Sequence, residues 1–195
     1  NVRGFFGRRI TGFWSSLDDC GGLLYWAGVH DVDTLRYLFG EVDSVYAVIG
    51  PKVHPEVSDQ EDAISVALTF ANGMVGSLQV STYFPMANYQ TAFGFDIVCE
   101  HGGIAYDPQR LTITCQREDQ DAQEVQLAHN EADEAYDHEW SSFAGWVLRD
   151  EAPVLTGEDG LRCVEILQAA YLSAQLGARV NLPLARDERR PFDEG

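Results

Sequence analysis

Trp26, His30, Asp33 and Tyr37 follow one another at intervals of three and four residues, the spacing that sets side chains on one face of an α-helix. An imidazole, a carboxylate and two aromatic rings then share a surface. The imidazole, with an unperturbed pKa of about 6.5, gives or takes a proton near neutrality and suits general acid–base work. Early in a helix the positive end of the macrodipole favours its neutral form, and Asp33, one turn later, can orient it or offset that preference. A histidine on a helix face that merely satisfies a local hydrogen bond is the plainer alternative. Trp26 either packs in the core or stacks on a flat ligand ring.

These residues must be carried by the helix expected between Cys20 and Gly40. Gly21 and Gly22 open it, Gly40 stops it, and Tyr25, Val29, Val32, Leu35 and Phe39 recur at helical spacing as its packing side. Upstream, residues 2–10 read as a strand, followed by a polar connection that contains Trp14, Asp18 and Asp19. Downstream, 42–49 reads as a strand and PKVHPEVSDQ as a proline-bounded polar loop. Ile64, Val66, Leu68 and Phe70 then alternate with small or hydroxylated residues, and Asn72-Gly73 turns the chain into a returning strand over 74–83. Further strands are expected over 93–99, 104–106, 111–117 and 124–127, with Glu100-His101-Gly102-Gly103 as a tight turn and His101 on its surface. Helical spacing returns at Tyr136, Trp140, Phe143, Ala144 and Val147. Thr156 and Asp159 resemble a capping box that opens a last helix, which Gly177 ends. A strand, a helix, a block of strands and two closing helices predict an α+β domain, its sheet mainly antiparallel with helices on one face. Residues 1–184 form that single domain and 185–195 a polar tail.

Composition narrows the partners. With 195 residues, 45% of them hydrophobic and 11% aromatic, the chain can bury a substantial core. A net charge of −18 repels phosphate backbones and anionic lipid headgroups, which argues against nucleic-acid and membrane partners. Cys20, Cys99, Cys115 and Cys163 make no zinc spacing and read as free thiols, so no metal site is expected. No apolar run is long enough to span a bilayer and NVRGFFGRR lacks a signal-peptide core, which leads to a cytoplasmic expectation.

Gly21, Gly22, Gly28, His30, Asp33, Gly40, Glu41, Val42, Ser44 and Val45 together resemble the signature of the glucose-fructose oxidoreductase, inositol dehydrogenase and rhizopine-catabolism (Gfo/Idh/MocA) family. The stretch from Phe143 to Pro183 resembles the end of the same family. Members are two-domain dehydrogenases that use a nicotinamide cofactor, mostly on sugars and polyols. This chain resembles only their second domain, a fold similar to the second domain of glyceraldehyde-3-phosphate-dehydrogenase-like oxidoreductases. The resemblance implies His30 as proton donor or acceptor with Asp33 beside it, and Trp14 near a sugar-like substrate; Trp26, which departs from the family pattern, either stacks on that substrate or packs in the core. It also implies NAD or NADP in the full-length protein and a homo-oligomer formed through the open sheet face. Two departures stand out. Sugar-oxidising members usually carry an aspartate where this chain has Trp26, so the usual aspartate and histidine pair is broken. No G-x-G-x-x-G follows a strand, and the family's catalytic lysine belongs to the first lobe, which this chain lacks. The chain alone is therefore expected to bind no dinucleotide and to be inactive. The other reading is a non-catalytic member that keeps the fold as a binding or dimerisation module.

Overall fold

A computed structural model describes residues 2–6, 12–53, 58–82, 91–107, 110–127 and 132–185. Strand β1 (Val2–Phe6) precedes a 3-10 turn (Gly12–Ser15) and the short helix α1 (Leu17–Cys20). A π-helical turn (Leu24–Gly28) then runs straight into α2 (Val29–Phe39). Strands β2 (Val42–Ile49), β3 (Ala63–Phe70), β4 (Val75–Ser81), β5 (Thr91–Cys99), β6 (Gly102–Asp107), β7 (Thr112–Arg117) and β8 (Gln123–Gln126) follow. Helices α3 (Ala132–Arg149) and α4 (Gly157–Leu176) and the two-residue strand β9 (Val180–Asn181) complete the order.

The nine strands among the described residues form one sheet in the order β8-β7-β6-β5-β1-β4-β3-β2-β9. Its pairings are antiparallel except that of β1 with β4, a parallel pair that joins the two halves of the sheet. The alternation read from the sequence decides which face is covered. Ile64, Val66, Leu68 and Phe70 of β3 are buried with Leu78 and Val80 of β4 and Val45 and Ala47 of β2. They pack into one core with Leu24, Ala27, Val32 and Leu35 before and within α2, and with Ile166, Leu167, Ala169 and Ala170 of α4. Across the sheet Tyr46, Val48, Ser65, Ala67 and Gln79 are exposed. One residue of α4 anchors the layer: the fully buried Ser173 hydroxyl accepts from Ala47 N (3.0 Å) and donates to Ala178 O (2.6 Å).

The predicted boundaries held where local chemistry sets them. Thr156 and Asp159 make a reciprocal capping box at the start of α4, and Gly177 ends that helix at φ +62°. In the β3–β4 connection Gly73 sits at φ +86° and Asn72 Oδ1 accepts from Met74 N at 3.0 Å. The glycine pair after His101 behaves differently from expectation: Gly102 and Gly103 belong to β6, not to the turn. A Cβ on Gly102 would collide with the Gln116 carbonyl of β7, so the glycine serves a close strand approach. On α3, Tyr136, Trp140, Phe143 and Val147 are each more than half exposed, so that apolar stripe is uncovered among the described residues. Residues 7–10 of the first expected strand, Tyr83 and all of the tail after Ala185 lie outside the described residues.

Candidate functional site

The site is assembled by the segment between β1 and α2. Ser16 caps α1 by accepting from Asp19 N at 3.3 Å, and Gly21 closes it in the left-handed region at φ +77°. Gly22 follows at φ +111°, where a Cβ would collide with the Tyr171 hydroxyl. The two glycines thus let the backbone turn sharply against α4 before the helix begins. The next turn is π-helical, a form that recurs at functional sites because it displaces side chains from regular spacing.

This turn brings Trp26 to Trp14, with ring centroids 5.4 Å apart and planes tilted by 51°. Phe13 meets Trp14 edge-on at 5.0 Å, extending an aromatic group in which Phe13 and Trp14 remain about half exposed. Beneath them lies Gln60, fully buried. Its Oε1 accepts from Trp26 Nε1 (3.0 Å) and Cys20 Sγ (3.5 Å), and its Nε2 donates to Trp14 O (2.6 Å). One amide therefore holds the Trp26 indole and the Trp14 backbone. Asp59 Oδ1 accepts from Leu17 N at 2.7 Å, adding a second tie between this loop and α1.

Glu61 and Asp62 continue the buried polar run. The Tyr171 hydroxyl donates a short hydrogen bond to Glu61 Oε1, and Leu24 N donates to both that hydroxyl (3.0 Å) and the same carboxylate oxygen (3.4 Å). Burial pushes the Glu61 carboxyl above its ordinary pKa, and burial with the nearby Glu61 charge raises the Tyr171 phenol. Tyr25 stacks on Tyr171 at 5.5 Å, and burial holds its phenol up at about 12. Asp62 Oδ2 accepts from Val53 N, and Thr82 donates to Asp62 through its backbone and its hydroxyl. These contacts set the depth and direction of the first turns of the central helix. They also place the end of the expected polar loop inside the protein.

The five residues singled out by sequence, Trp14, Trp26, His30, Asp33 and Tyr37, are brought together only in part. Trp14 and Trp26 touch. His30 follows Trp26 by four residues, just beyond the π-turn, and is exposed; its carbonyl accepts from Thr34 Oγ1 at 2.9 Å. Asp33 is half-buried and its Oδ1 accepts from Cys163 Sγ of α4 at 3.5 Å. Among the described residues no hydrogen bond joins His30 to Asp33. Tyr37 is 77% exposed. Between these positions Arg36 turns inward, holding Glu41 through Nη2 (2.6 Å) and Asp159 O through Nη1 (3.2 Å), which clamps α2 onto α4. Sequence reading missed Gln60, Glu61 and Tyr171. For Gln60 and Glu61 the only sequence signal is a polar triplet, Gln60-Glu61-Asp62, set directly against an alternating strand.

Comparison with known proteins matches this arrangement to one family. The model of the oxidoreductase family's C-terminal alpha/beta domain, Gfo/Idh/MocA, covers residues 14–182. The uncharacterised oxidoreductase YrbE of Bacillus subtilis is 30% identical over 174 residues, which are 83% of this chain and 48% of that protein. Levoglucosan dehydrogenase in complex with NADH superposes with a TM-score of 0.80 at 20% identity, over 94% of this chain and 58% of that one. The WlbA dehydrogenase from Bordetella pertussis, in complex with NADH and UDP-GlcNAcA, gives 0.72 at 24% identity, over 94% and 54%. The chain thus spans about half the length of these relatives. With its match running from Trp14 through the sheet and both closing helices, this chain belongs to the Gfo/Idh/MocA oxidoreductase family as its C-terminal α/β domain.

Proposed function

We propose that the chain is the substrate-side domain of a nicotinamide-dependent oxidoreductase acting on a sugar, polyol or related hydroxy or keto compound. The observation that carries this reading is the Trp14–Trp26 pair, fixed by buried Gln60 and followed at once by the exposed imidazole of His30. Indole faces stack on the apolar face of a sugar ring, and an imidazole beside them exchanges the proton of its hydroxyl. A nicotinamide held by a lobe outside this chain supplies hydride transfer; levoglucosan dehydrogenase and WlbA, both with NADH, support NAD for that role. The residues of this chain contribute substrate orientation and the proton. Four free cysteines fit a reducing, cytoplasmic setting.

The test is turnover of the full-length protein with NAD(H) and NADP(H) over a panel of sugars and polyols. His30→Gln is expected to lower kcat by about 10²- to 10⁴-fold with little change in substrate binding. An unchanged kcat overturns the role of His30. Trp26 favours a second reading, a binding module without catalysis, because an indole bonded to Gln60 stands where an exchanging carboxylate is usual. No turnover with any cofactor, together with saturable quenching of tryptophan fluorescence by a sugar, supports that second reading. We further propose that the open sheet face bearing Tyr46, Val48, Ser65 and Gln79 joins a second copy. Light scattering that finds a monomer at high concentration removes this last proposal.

A further inference from the structure

On the helix-covered side of the sheet, α2 stops short of β5 and β6 and leaves a cleft of about 810 Å³, within the size range of small-molecule pockets. Neither His30 nor the tryptophan pair is among its described lining, so it is a separate site. Two aromatic pairs stand in its walls: Phe39 with Phe70 at 5.9 Å, and Phe95 with Tyr106 at 5.3 Å. In the sheet β4 and β1 separate the two pairs. Asp31 also lines the cleft; it is 9% exposed, and its Oδ2 is buried with no hydrogen-bond partner among the described residues. Burial pushes this carboxyl up to about 7. No Lys, Arg or His is among its described lining.

We propose that this cleft binds a primary amine carried on an apolar or aromatic body, with the ammonium at Asp31 and the body between the aromatic pairs. A buried carboxyl oxygen without a donor is a penalty that an incoming donor removes. An ammonium brings three donors and a charge that also suits the aromatic faces. A neutral alcohol brings one donor and no charge. A lysine from a second copy is a poor occupant, because the single lysine of the chain, Lys52, donates to Gln60 O. The proposal does not rest on the hydride-transfer reading.

The experiment is titration calorimetry of the full-length protein with 2-phenylethylammonium chloride, and with 2-phenylethanol as the neutral match. Saturable binding of the amine is expected with a dissociation constant tighter than about 1 mM, and binding of the alcohol at least about tenfold weaker. Asp31→Asn is expected to abolish that preference. Thr34 is exposed, lines the cleft and lies one turn from Asp31, so Thr34→Lys supplies a competing ammonium without disturbing the core. This variant is expected to block the amine, and it keeps the test decisive if Asp31→Asn does not fold. Equal binding of amine and alcohol, no amine binding below about 10 mM, or unchanged amine affinity in Thr34→Lys each overturns the proposal.

Discussion

Single side chains carry most of the site's definition, and Gln60 carries the largest share. Fully buried, it bonds two indole-bearing residues and a thiol at once, so its loss leaves donors and acceptors unpaired in a closed space. Gln60→Ala is expected to destabilise the protein by about 1–3 kcal/mol in denaturant unfolding. It should also flatten the near-ultraviolet circular dichroism of the Trp14–Trp26 pair; an unchanged spectrum would show that the indoles hold each other without it. Asp31 makes a pH prediction with a definite sign. Its folded pKa, about 7, lies above the ordinary 3.8, so between those values the folded state holds a proton that the unfolded chain has released. The stability it contributes is complete below pH about 4 and lost as pH rises through about 7. The difference in unfolding free energy between wild type and Asp31→Asn should therefore change across that window, by up to about 4 kcal/mol. A difference independent of pH would mean that Asp31 titrates normally.

At the scale of elements, the helices are set by their ends and by what they touch. Thr156→Ala removes the capping box of α4 and should lower stability by about 1 kcal/mol, measured by urea unfolding. A larger matter is the entry to α2. Gly22→Ala puts a methyl group against the Tyr171 hydroxyl at a φ of +111° that side chains avoid. It should destabilise by roughly 2 kcal/mol or more and disturb the Glu61–Tyr171 bond. Stability equal to wild type would show that this turn relaxes freely. The π-turn explains why helical spacing located Trp26 and His30 on one helix yet did not yield their surroundings. Periodicity assumes a regular helix, and an i to i+5 turn ends that assumption between the two residues. The same limit applies to Asp33, whose hydrogen bond to Cys163 depends on α4 crossing α2 130 residues later.

At the scale of the whole molecule, the stripe on α3 asks for a partner. Tyr136, Trp140, Phe143 and Val147 are 67%, 68%, 51% and 63% exposed, the pattern of a surface built to be covered. Since the chain spans about half of its relatives, a further lobe of the full-length protein is the expected cover. Amide exchange in α3 should then be slow in the full-length protein and fast in the 195-residue chain by itself. Equal rates would remove the lobe from this face. Local chemistry legible in the sequence determined the alternating strands of the β3–β4 hairpin, the Thr156 cap and Gly177 stop of α4, and the glycine opening of the central helix. Each depends on neighbours a few residues away, so spacing and residue type suffice. The parallel pairing of β1 with β4, the glycines drawn into β6 and the inward turn of Gln60, Glu61 and Asp31 were decided by tertiary structure alone. A polar side chain reads as solvated in sequence, and it goes inside only when distant elements supply donors or, for Asp31, close over it.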